Sequence, residues 1–203
     1  MAISLQKGQK IDLSKNGSQL TNLMVGLGWK EVGGGGGGGL LGIFKQKVDV
    51  DIDASVVLLE ENGKLASIDD LIYFGNKDHN SGSVRHCGDN LVGGTKGGME
   101  DSEQILIDLA KTPARIGRLV FVVNIYDCVK RKQHFGMVEN AYIRIVDKTA
   151  NEDIASYNLT EDYSGKTAMV VGEIYRQNGQ WKFNAIGEAN YDPGLQQLIE
   201  RYK

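Results

Sequence analysis

Apolar and polar residues alternate along much of this chain in short runs separated by turn residues, while sustained helical periodicity is scarce. The runs at Ile3 to Leu5, Leu20 to Leu27, Val48 to Leu59, Leu71 to Phe74, Arg118 to Ile125, Ala141 to Asp147, Ile154 to Leu159, Ala168 to Arg176 and Trp181 to Glu188 predict strands. Strands at such spacing suit an all-β single domain, a β-sandwich of two mainly antiparallel sheets. "QNGQ" at 177–180 predicts a hairpin between "AMVVGEIYR" and "WKFNAIGE", because Asn-Gly tolerates the positive φ values of a tight turn. Helix is expected only as a turn or two near Leu109 to Ile116, one around Lys130 to Phe135, and in the C-terminal "DPGLQQLIERYK". There Asp192 is positioned to cap and Leu195, Leu198 and Ile199 share a face.

Composition narrows the function classes. At 203 residues a sizeable core is possible, and a net charge of −3 with no basic run argues against a nucleic-acid surface. The N-terminus lacks a signal-peptide apolar core, and no window approaches the roughly 18 apolar residues of a membrane span. A soluble, cytoplasmic protein is therefore expected. Two cysteines are too few for a disulfide framework. Cys87 beside His86 makes neither a zinc motif nor a nucleophile and base, since neighbours on an extended chain point apart. That pair reads as a loop histidine beside a buried thiol, and His79 and His134 also sit in loop-like contexts. Seven glycines at 33–39 are followed by no Lys-Ser/Thr, so they predict a flexible insertion at about 32–42 rather than a phosphate loop.

The acidic pattern carries the candidate chemistry. In "KVDVDIDASVVLLE", 47–60, Asp49, Asp51 and Asp53 occupy every second position, so a strand aims all three one way at spacings of about 6.6 Å. Together with Glu60 they match positions 1, 3, 5 and 12 of an EF-hand loop. Ala54 stands where that loop needs Gly, and an apolar run follows, so the match fails. In "RHCGDNLVGGTKGGMEDSE", 85–103, a glycine-rich loop gathers Asp89, Asn90, loop carbonyls such as that of Gly93, and Glu100, Asp101 and Glu103. Hard oxygens in irregular geometry suit calcium, which takes six to eight ligands at about 2.3 to 2.6 Å. "SIDDLIYFGN", 67–76, adds Asp69 and Asp70 as a third acidic segment. A calcium-dependent lectin-like or anionic-membrane-binding sandwich and a metal-dependent phosphoesterase remain alternatives. No Gly-x-Ser-x-Gly elbow and no His-Glu-x-x-His supports catalysis.

The same stretches resemble the tellurium-resistance TerD family of bacterial stress proteins. They are "LQKGQKIDLSK", "MVGLGW", "DIDASVVLL", "HCGDN", "FVVNIYD", "FGMVENAYIRIVD", "YNLTEDYSGKTAMVVGEIYRQNGQWKFNAIGE" and the amphipathic tail, almost the whole chain. The resemblance implies a calcium-binding sandwich without catalytic activity, tied to tellurite and chemical stress tolerance. Its partners would be calcium, other Ter-type proteins and the inner face of the membrane, to which the protein would be peripheral. The family's Asp-x-Asp-Ala-Ser falls on Asp51, Asp53, Ala54 and Ser55, and its Gly-Asp-Asn on Gly88, Asp89 and Asn90. Asp101 and Glu103 match the ends of the acidic triplet that follows. More than one calcium ion is implied. This chain departs from the common form in its polyglycine run and in the longer loop with Lys96.

Overall fold

In the computed structural model, residues 2–31, 50–89 and 101–203 are described, apart from the side chains at 31 and 89. One six-stranded sheet runs β1 (Ile3–Leu5), β12 (Glu152–Asn158), β11 (Val138–Asp147), β5 (Asn22–Glu31), β9 (Glu103–Asp108), β8 (Val84–Asp89). The facing sheet runs β2 (Lys10–Asp12), β14 (Gln180–Asn190), β13 (Ala168–Gln177), β10 (Ile116–Ile125), β6 (Ile52–Glu60), β7 (Leu71–Ile72). All pairings within these sheets are antiparallel except β1 on β12. A small ribbon of β3 (Ser14–Lys15) and β4 (Ser18–Gln19) stands apart.

The pattern of each strand follows from what covers its faces. On β9, Glu103, Ile105 and Ile107 are buried and Gln104, Leu106 and Asp108 are not, the alternation of a sheet with one face on the core. β10 instead reads "IGRLVFVVNI" because both faces are covered. Phe121 and Val123 enter the core between the sheets, while Val120 and Val122 pack on the outer side with Val57, Leu59, Leu198 and Ile199. Those last two residues belong to the C-terminal helix α2 (Leu195–Ile199), whose apolar face lies against the outer side of the second sheet, with Leu195 and Tyr202 packed beside it. The 177–180 hairpin forms as its sequence requires, with Asn178 at φ 52° and Gly179 at φ 75°.

The short helical turns expected near 109–116 and 130–135 are present, and other expectations are corrected. The stretch 85–103 is not simply a loop, because β8 and β9 pair at its two ends, Asp89 opposite Glu103. Leu109 to Ile116 forms one 3-10 turn, Leu109–Lys111, before β10 begins at Ile116. The Lys130 to Phe135 region contains the short α1 (Cys128–Arg131) and a 3-10 turn at Phe135–Met137. Asp192 does not cap α2, which is preceded by Gly194 with no side-chain cap; its carboxylate is taken by Arg201 instead. The polyglycine segment, Val48 and Asp49 lie outside the described residues.

Register brings one set of strand ends together. Ile52 of β6 pairs with Ile125 of β10, Asn124 with Ala168 of β13, Glu31 of β5 with Val138 of β11, and Glu103 with Leu27. The segments before Ile52, after Asp89, after Ile125 and after Asn158 therefore leave the sandwich at the same end. Asp51, Asp53, Asp89 and Glu103 belong to strand ends at this loop end.

Candidate functional site

Ala54, Val56 and Leu58 of β6 face the core between the sheets, so Asp53, Ser55 and Val57 face the outer side of the second sheet. Asp53 is half-buried there, directly opposite Asn124. The Asn124 Oδ1 and Ser55 Oγ beside it are buried without a hydrogen-bond partner. Asp51, one step outside β6, is exposed; its carboxylate lies 3.5 Å from Arg131 Nη1, and its carbonyl accepts from the Tyr126 N–H at 2.7 Å. Arg131 in turn lies over the Tyr126 ring, 5.3 Å from its centroid.

From the opposite sheet, β8 reaches across to this strand through His86. Its Nε2–H hydrogen-bonds the Ala54 carbonyl at 3.0 Å, and its Nδ1 accepts from the Gly88 N–H at 2.9 Å. Glu103 Oε2 stands 2.8 Å from the same Nε2, an ion-pair contact that competes with the Ala54 carbonyl for the ring N–H. Burial opposes charge on the ring, but the Glu103 carboxylate beside it prevails and holds the His86 pKa above its ordinary value. Gly88 supports this arrangement with φ 78° at the β8 bulge, which lets Asp89 return to register with Glu103. The loop reading of His86 and Cys87 is thus inverted: the histidine is a buried strand residue and Cys87 is exposed.

Asp101 is placed differently. Its Oδ1 accepts from Tyr142 Oη at 3.0 Å and Arg144 Nε at 2.8 Å, and its Oδ2 accepts from Arg144 Nη2 at 2.6 Å and Gln104 Nε2 at 2.9 Å. Four donors fill the lone-pair directions of a carboxylate. The strand opposite makes room with Gly26, where a Cβ would stand 2.4 Å from Asp101 Oδ1. Gly26→Ala is expected to lower stability by about 1 to 3 kcal/mol through this clash. A melting temperature equal to that of the parent would contradict it.

The third acidic segment belongs to the other end of β6. Asp70, wholly buried, accepts both terminal nitrogens of Arg115, at 2.7 and 2.8 Å, and contacts His79 Nε2 at 3.1 Å. Arg115 precedes Ile116, which pairs with Glu60, so this cluster is remote from Asp51 and Asp53. Of the proposed ligands, Asp51, Asp53, Glu103 and the Asp89 backbone lie at the loop end, Asp53 on the outer side of the second sheet and Glu103 between the sheets, and Asp101 anchors β9 from the outer side of the first sheet. The Asp89 side chain, Asn90, Gly93 and Glu100 lie outside the described residues. Among the described residues no three His, Cys, Asp or Glu side chains are grouped to hold a metal. No described helix is long and apolar enough to cross a membrane.

The family model of the TerD domain matches residues 1–202. Stress response protein SCP2 of Bacillus subtilis (strain 168) is 52% identical over 204 residues, with 100% of each chain covered. Tellurium resistance protein TerD of Serratia marcescens is 40% identical over 204 residues, covering 100% of this chain and 97% of the relative. Among solved structures, a homologue of the telluride resistance protein TerD from Streptomyces coelicolor A3(2) superposes with a TM-score of 0.55 at 16% identity. That match covers 84% of this chain and 89% of the other, and bears on the fold.

Proposed function

The chain belongs to the TerD family of tellurium-resistance and stress-response proteins, and from that premise we propose that it is a calcium-binding interaction module rather than a catalyst. The reading is supported foremost by His86, which ties β8 to Ala54 and so holds Asp89 at the same end of the sandwich as Asp51 and Asp53. At the same end Glu103 faces His86 between the sheets at 2.8 Å and adds a further carboxylate to those of the loop end. The residues proposed to hold the ion are Asp51, Asp53, Asp89 and Glu103, with Asn90, Glu100 and the Gly93 carbonyl from the connecting loop. Asp101 is removed from the set because its oxygens already serve Arg144, Tyr142 and Gln104.

When bound, calcium supplies positive charge to carboxylates that otherwise repel one another, and its irregular coordination suits donors from two strands and a glycine-rich loop. The protein would then present an ordered loop end to another Ter-type protein or to the inner face of a membrane. Calorimetry and thermal melting test this. Binding should raise stability as the logarithm of free calcium above the dissociation constant, by about 2.7 kcal/mol at a hundredfold excess over it. Asp51→Asn, Asp53→Asn and Asp89→Asn should each blunt that rise, and Glu60→Gln, at the far end of β6, should not. No heat and no melting shift at millimolar calcium would refute the reading.

A further inference from the structure

A second feature of the loop end uses none of those carboxylates. Between the two sheets lies a cavity of about 190 Å³ walled by buried Ile52, Val123, Phe135, Met169 and Val171 and by half-buried Trp29. It adjoins an outer groove of about 580 Å³ on the first sheet, reached past Val138, Tyr142 and Leu159, which line both. The backbone is altered where the two meet. Strand β11 carries a bulge between Glu139 and Tyr142, with Asn140 at φ 56°, so β11 and β5 lose pairing at the throat. Bulges at such positions re-aim side chains and recur beside binding sites. Gly28 contributes too: the Tyr142 ring lies so close that a Cβ there would stand 2.4 Å from it.

Size and charge then select the ligand. An engineered apolar cavity of about 150 Å³ accepts benzene, so this one holds a single six-membered ring with a short aliphatic extension. Among the described residues, the charged ones lining the cavity and groove are Glu139, Glu161 and Asp162 against Lys30, and Glu161 is also paired with Lys7 Nζ at 2.8 Å. This balance disfavours an anionic head group and favours an ammonium.

We propose that the cavity and its groove form a binding site for a small arylalkylamine-like amphiphile, its ring between the sheets and its ammonium at the Glu139 and Glu161 rim. Among the described residues, no proposed calcium ligand lines either hollow, so the site can be tested in chelator and its failure leaves the calcium reading untouched.

The test is an NMR titration of the full chain with 2-phenylethylamine and, separately, phenylacetate, which has a similar body and the opposite charge. The amine should give saturable shifts at the Trp29 indole N–H and at the methyls of Val138, Met169 and Val171. Phenylacetate should bind about tenfold more weakly, and Glu139→Lys should narrow that gap. Ala141→Phe, at a half-buried position lining both hollows, should abolish the shifts while keeping a dispersed spectrum. If that variant fails to fold, Leu159→Trp narrows the same throat and is read the same way. No saturable shift with millimolar amine, equal affinity for the two probes, or undiminished binding in the folded throat variant would each overturn the proposal.

Discussion

Arg144→Met is expected to cost the fold about 3 to 5 kcal/mol, the penalty of leaving a buried carboxylate without its cation. Asp101 has no side-chain exposure and Arg144 only 7%, so water cannot replace the lost partner. The Asp101 hydrogen bonds lift the guanidinium pKa further above its already high value, so Arg144 stays cationic at any pH where the protein is handled. The second contact of Arg144, Asp153 at 2.7 Å, is partly exposed and can turn to solvent, so the loss concentrates on Asp101. Removing both partners in Asp101→Leu/Arg144→Met should recover a substantial part of the stability, because the uncompensated charge is gone. Urea denaturation of the four proteins in this cycle measures the coupling. A single-variant cost under about 1 kcal/mol would show that the pair does not hold β9 in place. The pair also matters to the loop end, since Asp101 and Glu103 lie on the same stretch where the chain returns from the 90–100 segment. If calcium binds there, Arg144→Met should weaken it by loosening that anchor, without removing a ligand.

Strands that bury one face or both were legible because their pattern is local. "FVVNI" and "WKFNAIGE" announce themselves by period, and Asn178-Gly179 fixes the register between β13 and β14. β8 and β9 were not seen as strands. In "VRHCGD" the inward positions are Val84, His86 and Gly88, and a histidine followed by a bulged glycine does not look apolar. In "EQILID" the inward Glu103 hides the start of the strand for the same reason. The polar residues that obscured these two strands are the ones held by contacts between elements. His86 needs the Ala54 carbonyl and Glu103, which are 32 and 17 positions away in the chain, and no spacing rule anticipates such partners.

The acidic residues divide on similar grounds. Alternation picks out Asp49, Asp51 and Asp53 together, and the family motifs single out Asp51, Asp53 and Asp89. Nothing local distinguished Asp101 from Glu103, two residues apart on one acidic stretch. The sheet separates them, since Glu103 faces His86 between the sheets and Asp101 meets Arg144 on the outer side. Asp70 was grouped with them by composition, whereas its true partners are Arg115 and His79 at the far end of β6. Clustered carboxylates in a sequence therefore gave three destinations: one proposed ion site and two ion pairs that hold strands and turns.

Asp70→Asn should separate these roles through pH. The variant loses a bidentate charged contact with Arg115, and it is expected to be less stable than the parent by about 2 to 3 kcal/mol at neutral pH. Arg115 is 44% exposed in its side chain and can turn to water, which keeps the cost below that expected for Arg144→Met. Burial is the largest influence on the Asp70 carboxyl and acts to raise its pKa, but the hydrogen bonds and charges of Arg115 and His79 together outweigh it and hold the pKa below the ordinary value. A carboxyl with a depressed folded-state pKa contributes stability in full above its unfolded value of about 3.9 and loses it as pH falls through the folded-state pKa. The difference between parent and variant should therefore be constant from neutral pH down to about 5 and shrink below about 4. Denaturation midpoints measured across that range decide the matter; a gap that persists unchanged into strong acid would mean that Asp70 contributes shape rather than charge. Calcium should stabilise Asp70→Asn by the same increment as the parent, because this cluster and the Asp51, Asp53 and Asp89 edge occupy opposite ends of β6. A reduced increment would place Asp70 in communication with the loop end, which its contacts with Arg115 and His79 do not provide.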